Sequence, residues 1–582
     1  MSAGKTLSGI AMAALSTACA AAGVAGTCVP SFSEVDVTHG FEVRNRCAVS
    51  APALASVTER LNRAVQRDGL AAAQRVALAK AANVMLHAVF SRSGHGEGEP
   101  TDDAALVNLE TLLESLASQI RTRTDIDPAA EASKWNTRYD DLLRRLSITR
   151  SADPAELQLD AAAKRLDLDA ASALIMRLAA KVPGTAQLTA ARNYEAASIE
   201  LLRFMPWNAL PYLEKAHALQ PDDVAIATAY ADTLLVQHEP GRAEPVYRAL
   251  LIQYRTLAQQ KPAAWQPAVA RTLGQLGSLY AMQRQQKEAE AAWLHALEIY
   301  WALARVNASA YDPALAQTFD NLATLYRDTQ RLREAAAAWR EALALDRALA
   351  RHDPATYRPA IATTLNDLGI LYGATQRMHD AELAYREALG IQRALAHDNP
   401  AAWRPALART LNNLGNFDIA NERLPEAEHA YREALTIRRQ LARESPALYQ
   451  PDLARTLGNL GVLYRIERRP ANALQAYRQA LQIVHALSRN APAEYQPDEA
   501  RILNNLGVLY SRTGRPREAE DAWRRALDLY RRLAYGDPLT WRQDQARTLR
   551  NLGTLLGQTG RSAEADEMKR EADALTDSTR AQ

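Results

Sequence analysis

Cysteine, lysine and aromatic residues are scarce in this chain of 582 residues. It contains three cysteines and nine lysines, and only 6% of its residues are aromatic. Extended runs of Val, Ile and Thr are nearly absent, which excludes a β-rich fold as the leading expectation. Apolar residues nevertheless make up 48% of the chain, mostly Ala and Leu interspersed with Arg and Glu. This balance is typical of stacked amphipathic helices, so we expect an all-α fold.

The chain also lacks an excess of charge of either sign. Its 69 basic and 67 acidic residues leave a formal charge of +2. So small a charge gives no global field that would gather phosphate backbones, and we expect no nucleic-acid partner.

Motifs that carry chemistry are missing as well. Residues 51–185 contain no Gly-rich phosphate loop, no zinc-ligand spacing, no Gly-x-Ser-x-Gly motif and no Cys/His nucleophile pairing. His95 lies among glycines and acidic residues in the stretch Ser93–Pro100, where a solvated linker is favoured over a metal site. We therefore expect no catalytic residues, no cofactor and no metal ion.

The first 26 residues are predicted to be an export signal. Lys5 lies in a short polar start, and an uncharged apolar run follows from Leu7 to Ala18. The run is too short to span a bilayer permanently, so no integral span is expected after removal of the signal. Residues 15–19 resemble a bacterial lipoprotein box with the leucine one place out of register, which leaves lipidation at Cys19 as an alternative.

Residues 27–50 form a short cysteine-containing segment. Cys28 and Cys47 are predicted to form a disulfide in an oxidising compartment; the alternative is two free thiols in a cytosolic protein. Between them, Glu34–Thr38 and Phe41–Arg46 are predicted to form a strand pair. Residues 51–185 are predicted to be a helical N-terminal domain of no assigned family.

A period of 46 residues dominates the rest of the chain, and such a period is typical of a stacked architecture. One column of small residues lies in the first helix of each repeat: Gly277, Ala323, Gly369, Gly415, Gly461, Gly507 and Gly553. Alanine columns follow, represented by Ala289 and Ala296, with an aromatic column between them: Trp293, Trp339, Tyr385, Tyr431, Tyr477 and Trp523. We expect the Gly to face the Ala of the second helix, and the aromatic to fill the gap to the next pair.

These columns resemble the tetratricopeptide repeat. The resemblance rests on Leu-Gly-x-x-Tyr, a turn arginine, Glu-Ala-Glu, an aromatic residue and Ala-Leu. The turn arginines are Arg331, Arg377, Arg423, Arg469, Arg515 and Arg561. The resemblance implies an α-solenoid, a right-handed superhelix of helix pairs. Seven repeats are placed at 263–572, degenerate repeats at 186–262 and a tail at 573–582.

The repeats depart from the family in length, because a standard repeat has about 34 residues. An uninterrupted helical pattern at 426–442 predicts that the second helix carries the extra length. The prolines Pro405, Pro451 and Pro497 are predicted to begin first helices. Asp418 replaces a tyrosine of its column and is interpreted as a local change of register. Such long repeats are similar to those of kinesin light chains and bacterial scaffold proteins.

In this family the first helices line a groove that holds extended peptides. The corresponding residues here are arginine and asparagine pairs at i, i+4 spacing, which share a helix face. They are Arg409 with Asn413, Arg455 with Asn459, Arg501 with Asn505, and Arg547 with Asn551. Asn can bond a peptide backbone and Arg a carboxylate, so the resemblance implies an extended or acidic ligand. The alternative is that Asn bonds between helices and Arg is merely solvated.

The leading functional hypothesis is a non-enzymatic protein-interaction scaffold in the bacterial periplasm or envelope. One alternative is a cytosolic regulatory or signalling protein with the same repeats. Another is an enzyme with catalysis in 51–185 and repeats that recruit substrate.

Overall fold

The computed structural model describes a short hairpin and 22 helices. The described residues are 31–36, 40–44, 59, 78, 81–82, 84–85, 103–122, 128–148, 153–181 and 185–577. Strands β1 (Ser31–Asp36) and β2 (Gly40–Arg44) are antiparallel, with Ser31 opposite Arg44. The first strand begins three residues before the predicted start at Glu34, and the second begins one residue before Phe41. The export signal and all three cysteines lie outside the described residues.

Contacts divide the chain into two compact units, 1–299 and 300–582, and the division falls within a helix. The helices of the first unit are α1 (Asp103–Thr122), α2 (Pro128–Ile148), α3 (Pro154–Lys164), α4 (Leu168–Lys181), α5 (Ala186–Leu202), α6 (Pro206–Leu219), α7 (Val224–Val236), α8 (Pro240–Gln260), α9 (Pro262–Met282) and α10 (Gln286–Ala304), which crosses the division. Helices α5–α8 occupy the region of the predicted degenerate repeats, and each packs on the next.

An aromatic pair lies at the centre of the N-terminal core. Trp135 is fully buried and stacks on Tyr139 at a centroid distance of 5.1 Å. Its indole Nε1 donates a hydrogen bond of 2.8 Å to the carbonyl oxygen of Leu202, which satisfies its polar atom. Ile199 belongs to the same core. Helix α5 therefore follows the boundary predicted at residue 185 but contributes side chains to the core that precedes it.

The second unit contains the helix pairs of the 46-residue repeat. They are α11 (Ala308–Asp328), α12 (Leu332–Leu349), α13 (Pro354–Ala374), α14 (Met378–Asp398), α15 (Pro400–Ala420), α16 (Leu424–Glu444), α17 (Pro446–Ile466), α18 (Pro470–Asn490), α19 (Pro492–Arg512), α20 (Pro516–Gly536), α21 (Pro538–Gln558) and α22 (Ser562–Asp577). Each helix packs against the next along the chain. The predicted all-α solenoid is confirmed.

The extra length of the repeat is shared by both helices. Helices α15 and α16 have 21 residues each. Only the turn at 421–423 and the single residue Ser445 interrupt them. The prediction that the second helix alone is extended was therefore wrong, because the supposed turn after Ser445 is already the next first helix.

The prolines predicted to begin helices lie inside them. Helix α15 begins at Pro400, and Pro405 lies in its second turn, as Pro451 and Pro497 do in α17 and α19. The start is set by Pro400, which has no intrahelical bond to lose, and by Asn399, whose side chain accepts from the Ala402 amide. A proline one turn later has a φ compatible with the helix and removes a single backbone hydrogen bond.

Five helix pairs of the array are closed around a glycine and an aromatic ring of the same repeat. A Cβ built on Gly461 would lie 2.5 Å from Cε1 of Tyr477, and one on Gly507 would lie 2.6 Å from Nε1 of Trp523. In these five repeats the glycine faces the aromatic ring and not the alanine, which corrects the sequence-based assignment. In the last repeat a Cβ on Gly553 would lie 3.2 Å from the carbonyl oxygen of Ala565, as that assignment expected. In one repeat Ala323 takes the glycine position while Trp339 stays fully buried, so the pair can adjust to a methyl group.

A side chain larger than methyl at this position should overpack the helix pair. We expect Gly461→Leu to lower the free energy of unfolding by about 1–3 kcal/mol, because the Tyr477 ring cannot withdraw from a filled interface. Urea unfolding followed by circular dichroism measures the effect.

The matched control is Gly390→Ala, an exposed helical glycine with open space around its Cα. Its stability should change by no more than about 1 kcal/mol, in the stabilising direction. Equal effects of the two substitutions would contradict the close glycine contact.

Candidate functional site

The predicted arginine and asparagine columns lie on one surface of the second unit. We call it the first-helix face; it is formed by α15, α17, α19 and α21. Its residues are Arg409, Asn413, Arg455, Asn459, Arg501, Asn505, Arg547 and Asn551. The arginines are exposed, apart from a half-buried Arg501, and the asparagines are half-buried. The structure therefore places all eight residues at a surface that a ligand can reach.

Asparagine side chains connect consecutive first helices. Nδ2 of Asn413 donates to Oδ1 of Asn366 at 3.0 Å, and Nδ2 of Asn459 donates to Oδ1 of Asn412 at 3.1 Å. Asn551 bonds in the same way to Asn504 at 3.4 Å. The helix-to-helix role that the sequence left as an alternative is thus present in three of the four repeats.

Asn505 is the exception, because Gly458 occupies the position of its partner. The side chain of Asn505 makes no hydrogen bond within the described part of the chain. Near Gly458 the closest atom to an added Cβ would be Nη1 of Arg501, at 3.9 Å. This amide therefore keeps both its donor and its acceptor for a ligand.

The arginines of this face are mostly neutralised by aspartates one turn earlier. Arg455 lies 2.8 Å from Asp452, Arg501 lies 2.9 Å from Asp498, and Arg547 pairs with Asp544. Arg409 has alanine at the matching position and forms no ion pair among the described residues. The aspartates repeat every 46 residues, so the sequence contained this signal, but it was missed. The face is therefore close to electrically balanced.

The face is tied to the interior through Asp452. The guanidinium of Arg438, only 2% exposed, donates to the Asp452 carbonyl oxygen at 2.7 Å and to the hydroxyl of Thr456. Burial lowers the pKa of Arg438 to about 10. Asp452 thus holds Arg438 with its backbone and Arg455 with its carboxylate.

Asp418 forms a buried ion pair with Arg423 and does not mark a change of register. Helix α15 has the same bounds within the repeat as α17, and Nη2 of Arg423 lies 2.6 Å from Oδ1 of Asp418. Burial raises the pKa of the Asp418 carboxyl, and the neighbouring Arg423 opposes that shift. Arg423 also lies over the Phe417 ring at 5.2 Å. A cavity of about 320 Å³ opens beside Asp418, with Leu389 and Leu411 in its wall.

Turn arginines of other repeats also pack over an aromatic ring. Arg377 lies 4.1 Å from the ring centroid of Tyr372, and Arg469 lies 4.5 Å from that of Tyr464. Arg469 also bonds Glu428 of the preceding repeat at 3.1 Å. Three arginines of this column therefore join neighbouring repeats, namely Arg423, Arg469 and Arg561.

Side chains that could bind a metal ion are not clustered among the described residues. No group of three His, Cys, Asp or Glu side chains among them could hold a metal. Ser488 donates to Glu499 at 2.6 Å and His485 contacts the same carboxylate at 2.8 Å, but the serine bonds only the backbone carbonyl oxygen of His485 and not its ring. None of the described helices combines the length and apolarity needed to cross a membrane.

Profiles of two families, each described as a tetratricopeptide repeat, match the array. One matches residues 406–484 and 482–532, and the other matches 269–300, 315–350 and 361–401. The matched part of the chain consists of tetratricopeptide repeats. The matched tetratricopeptide repeats contain six of the eight predicted site residues, all except Arg547 and Asn551.

Solved structures similar to this chain include three proteins. BtubC (BKLC) from P. vanneervenii is 24% identical over 43% of this chain and 93% of its own, with a TM-score of 0.37. The apo form of RapI is 12% identical over 68% and 99%, with a TM-score of 0.45. PilF of Pseudomonas aeruginosa is 21% identical over 44% and 90%, with a TM-score of 0.30. No curated protein matches this chain.

A buried carboxyl between two tetratricopeptide repeats generates a pH dependence. Asp346 is 7% exposed, and burial, aided by the charge of Asp320, raises its pKa to about 6. Because the folded pKa exceeds the ordinary value of 3.8, the folded state favours the neutral form. The stability that Asp346 contributes is present below pH 4 and is lost as the pH rises through 6.

We expect Asp346→Asn to raise the free energy of unfolding at pH 7.5 by about 1–2 kcal/mol, since the amide carries no charge to bury. The gain should shrink toward pH 4. Urea midpoints measured at both pH values test this, with the exposed Asp328→Asn as a control that should show no such trend. A gain of equal size at both pH values would be inconsistent with a titrating Asp346.

Proposed function

We propose that this protein is a non-enzymatic scaffold that binds an extended polypeptide segment along the first-helix face. Tetratricopeptide repeats form protein-interaction scaffolds, and the proposal adds the surface and the form of the ligand. The observation that carries it is the alignment of accessible Arg and Asn columns over four consecutive first helices. Such a series of donors and acceptors suits a chain with a repeating backbone.

The geometry favours an extended ligand over a folded one. Helices in contact lie about 8–10 Å apart, while an extended chain rises about 3.3 Å per residue, so a bound segment would pass roughly three residues per repeat. Hydrogen bonds from Asn413 and Asn459 hold consecutive first helices at a constant spacing. The side chains are therefore positioned before the ligand arrives, which lowers the entropy cost of binding.

The first-helix face is better suited to bond the backbone of a ligand than to bond its charged side chains. Three of the four arginines are balanced by Asp452, Asp498 and Asp544. Arg409 forms no ion pair in the described part of the chain, but its charge opposes the rise that burial causes in the pKa of the Asp367 carboxyl. Asn505 offers an amide whose donor and acceptor both lack a hydrogen-bond partner among the described residues. The first-helix face should therefore accept segments with little dependence on their net charge.

Removal of the central polar side chains should weaken peptide binding without unfolding the protein. We expect Arg455, Asn459, Arg501 and Asn505, all changed to alanine, to weaken binding by about tenfold or more, since four hydrogen-bonding groups are lost. Displayed unstructured peptides selected on the intact protein provide the ligand, and fluorescence anisotropy gives the dissociation constants.

The matched control changes Arg340 and Arg386 to alanine. It removes an equal number of positive charges, two, from exposed sites on second helices. Circular dichroism verifies that both variants remain helical. Equal affinities of the first-helix variant and the wild type would refute the proposal.

We also propose that the scaffold works outside the cytoplasm, on the strength of the export signal at 1–26 and of Cys28 and Cys47 after it. We expect protein isolated from its native host without reductant to hold these two cysteines as a disulfide. Mass spectrometry after thiol alkylation counts them, and fractionation with a periplasmic marker locates the protein. Two free thiols in a cytoplasmic fraction would instead favour the regulatory alternative.

A further inference from the structure

The exposed faces of the second helices carry a regular set of ion pairs between neighbouring repeats. We call this surface the second-helix face; it is formed by α12, α14, α16, α18, α20 and α22. Arg347 lies 2.6 Å from Glu387, and Arg393 lies 2.9 Å from Glu433. Near the end of the array, Arg531 pairs in the same way with a glutamate 40 residues later, at 2.7 Å. Each such arginine is neutralised by the next second helix.

Helix α18 interrupts this set because it contains no acidic residue at all. Gln479 stands where Glu433 receives Arg393 in the preceding repeat, so Arg439 of α16 has no carboxylate opposite it. Leu474 stands where Glu428 pairs with Arg432 at 2.7 Å, so Arg478 loses its partner one turn away.

Four arginines around α18 are left without acidic partners. Arg439, Arg443, Arg478 and Arg489 are exposed, and none of them forms an ion pair among the described residues. Three of the acidic groups nearby are engaged elsewhere, while the exposed Glu444 next to Arg443 forms no ion pair among the described residues. Glu433 pairs with Arg393 and Glu428 with Arg432 and Arg469, while the buried Glu499 is held by Ser488 and His485.

We propose that these four arginines, which we call the α18 basic surface, form a docking surface for an acidic polypeptide segment of a partner protein. The surface is distinct from the first-helix face, where three of the four arginines are balanced by aspartates. Unpaired guanidinium groups are available for bidentate bonds to carboxylates, and no existing ion pair must be broken to make them.

An acidic polypeptide fits this surface better than a nucleic acid does. The exposed glutamines Gln475 and Gln482, on the same helix, can bond peptide groups or carboxamides between the charged contacts. A polyanion such as DNA would be drawn by a strong field of the whole protein, but the net charge is only +2. The positive surface is local and of the size of one or two helices.

The test measures binding of a fluorescein-labelled, glutamate-rich peptide to the full chain by fluorescence anisotropy at low and moderate salt. Arg439→Gln with Arg478→Gln should weaken binding about fivefold to tenfold, because each exposed charge pair contributes modestly. Gln479→Glu should weaken binding too, although it removes no arginine, since it restores the glutamate opposite Arg439.

The matched control is Arg347→Gln with Arg393→Gln, which has the same charge change on the same face but alters arginines that are already paired. Its affinity should stay within about twofold of wild type. Equal weakening by both double variants would show that only the overall charge matters and would overturn the proposal. Unchanged binding by Gln479→Glu would overturn it too. Tighter binding of a single-stranded DNA probe, lost in the same variants, would overturn the choice of a polypeptide.

Discussion

The close contact between a glycine and an aromatic ring, made in five helix pairs of the array, is the interaction on which the rest of the structure depends. Gly461 against Tyr477 and Gly507 against Trp523 leave no room for a Cβ without movement of the ring. This contact sets the distance between the two helices of a repeat. The same spacing in successive repeats then brings Asn413 within 3.0 Å of Asn366 on the neighbouring first helix. The regular spacing of polar side chains on the first-helix face is therefore a consequence of the packing beneath that face.

Charge is distributed differently on the two faces of the array. On the first-helix face, Arg455 and Arg501 are neutralised within their own helices. On the second-helix face, neutralisation occurs between repeats, so it fails where one helix lacks acidic residues, and Arg439 remains unpaired. Because exposed pairs contribute little to stability, such a failure costs the fold little and leaves charge available for a partner.

Departures from the repeat were more informative about function than the repeat itself. Gly458 in place of an asparagine frees the amide of Asn505, and Gln479 in place of a glutamate frees Arg439. Asp418 in place of a tyrosine is absorbed by the fold, since Arg423 neutralises it in the interior. A substitution in a repeated column therefore has meaning only when the side chain that it leaves without a partner is known.

The sequence by itself determined the period, the pairing of helices and the family, because spacing of small and aromatic residues such as Gly461 and Tyr477 is a local property of the chain. It also identified the Arg and Asn columns of the first-helix face. Only the tertiary structure decided that Pro405 lies inside a helix, that the glycine faces the ring, and that Asn413 bonds across to its neighbour. The physical reason is that a partner in another helix is set by rotation and distance between helices, which periodicity alone does not specify.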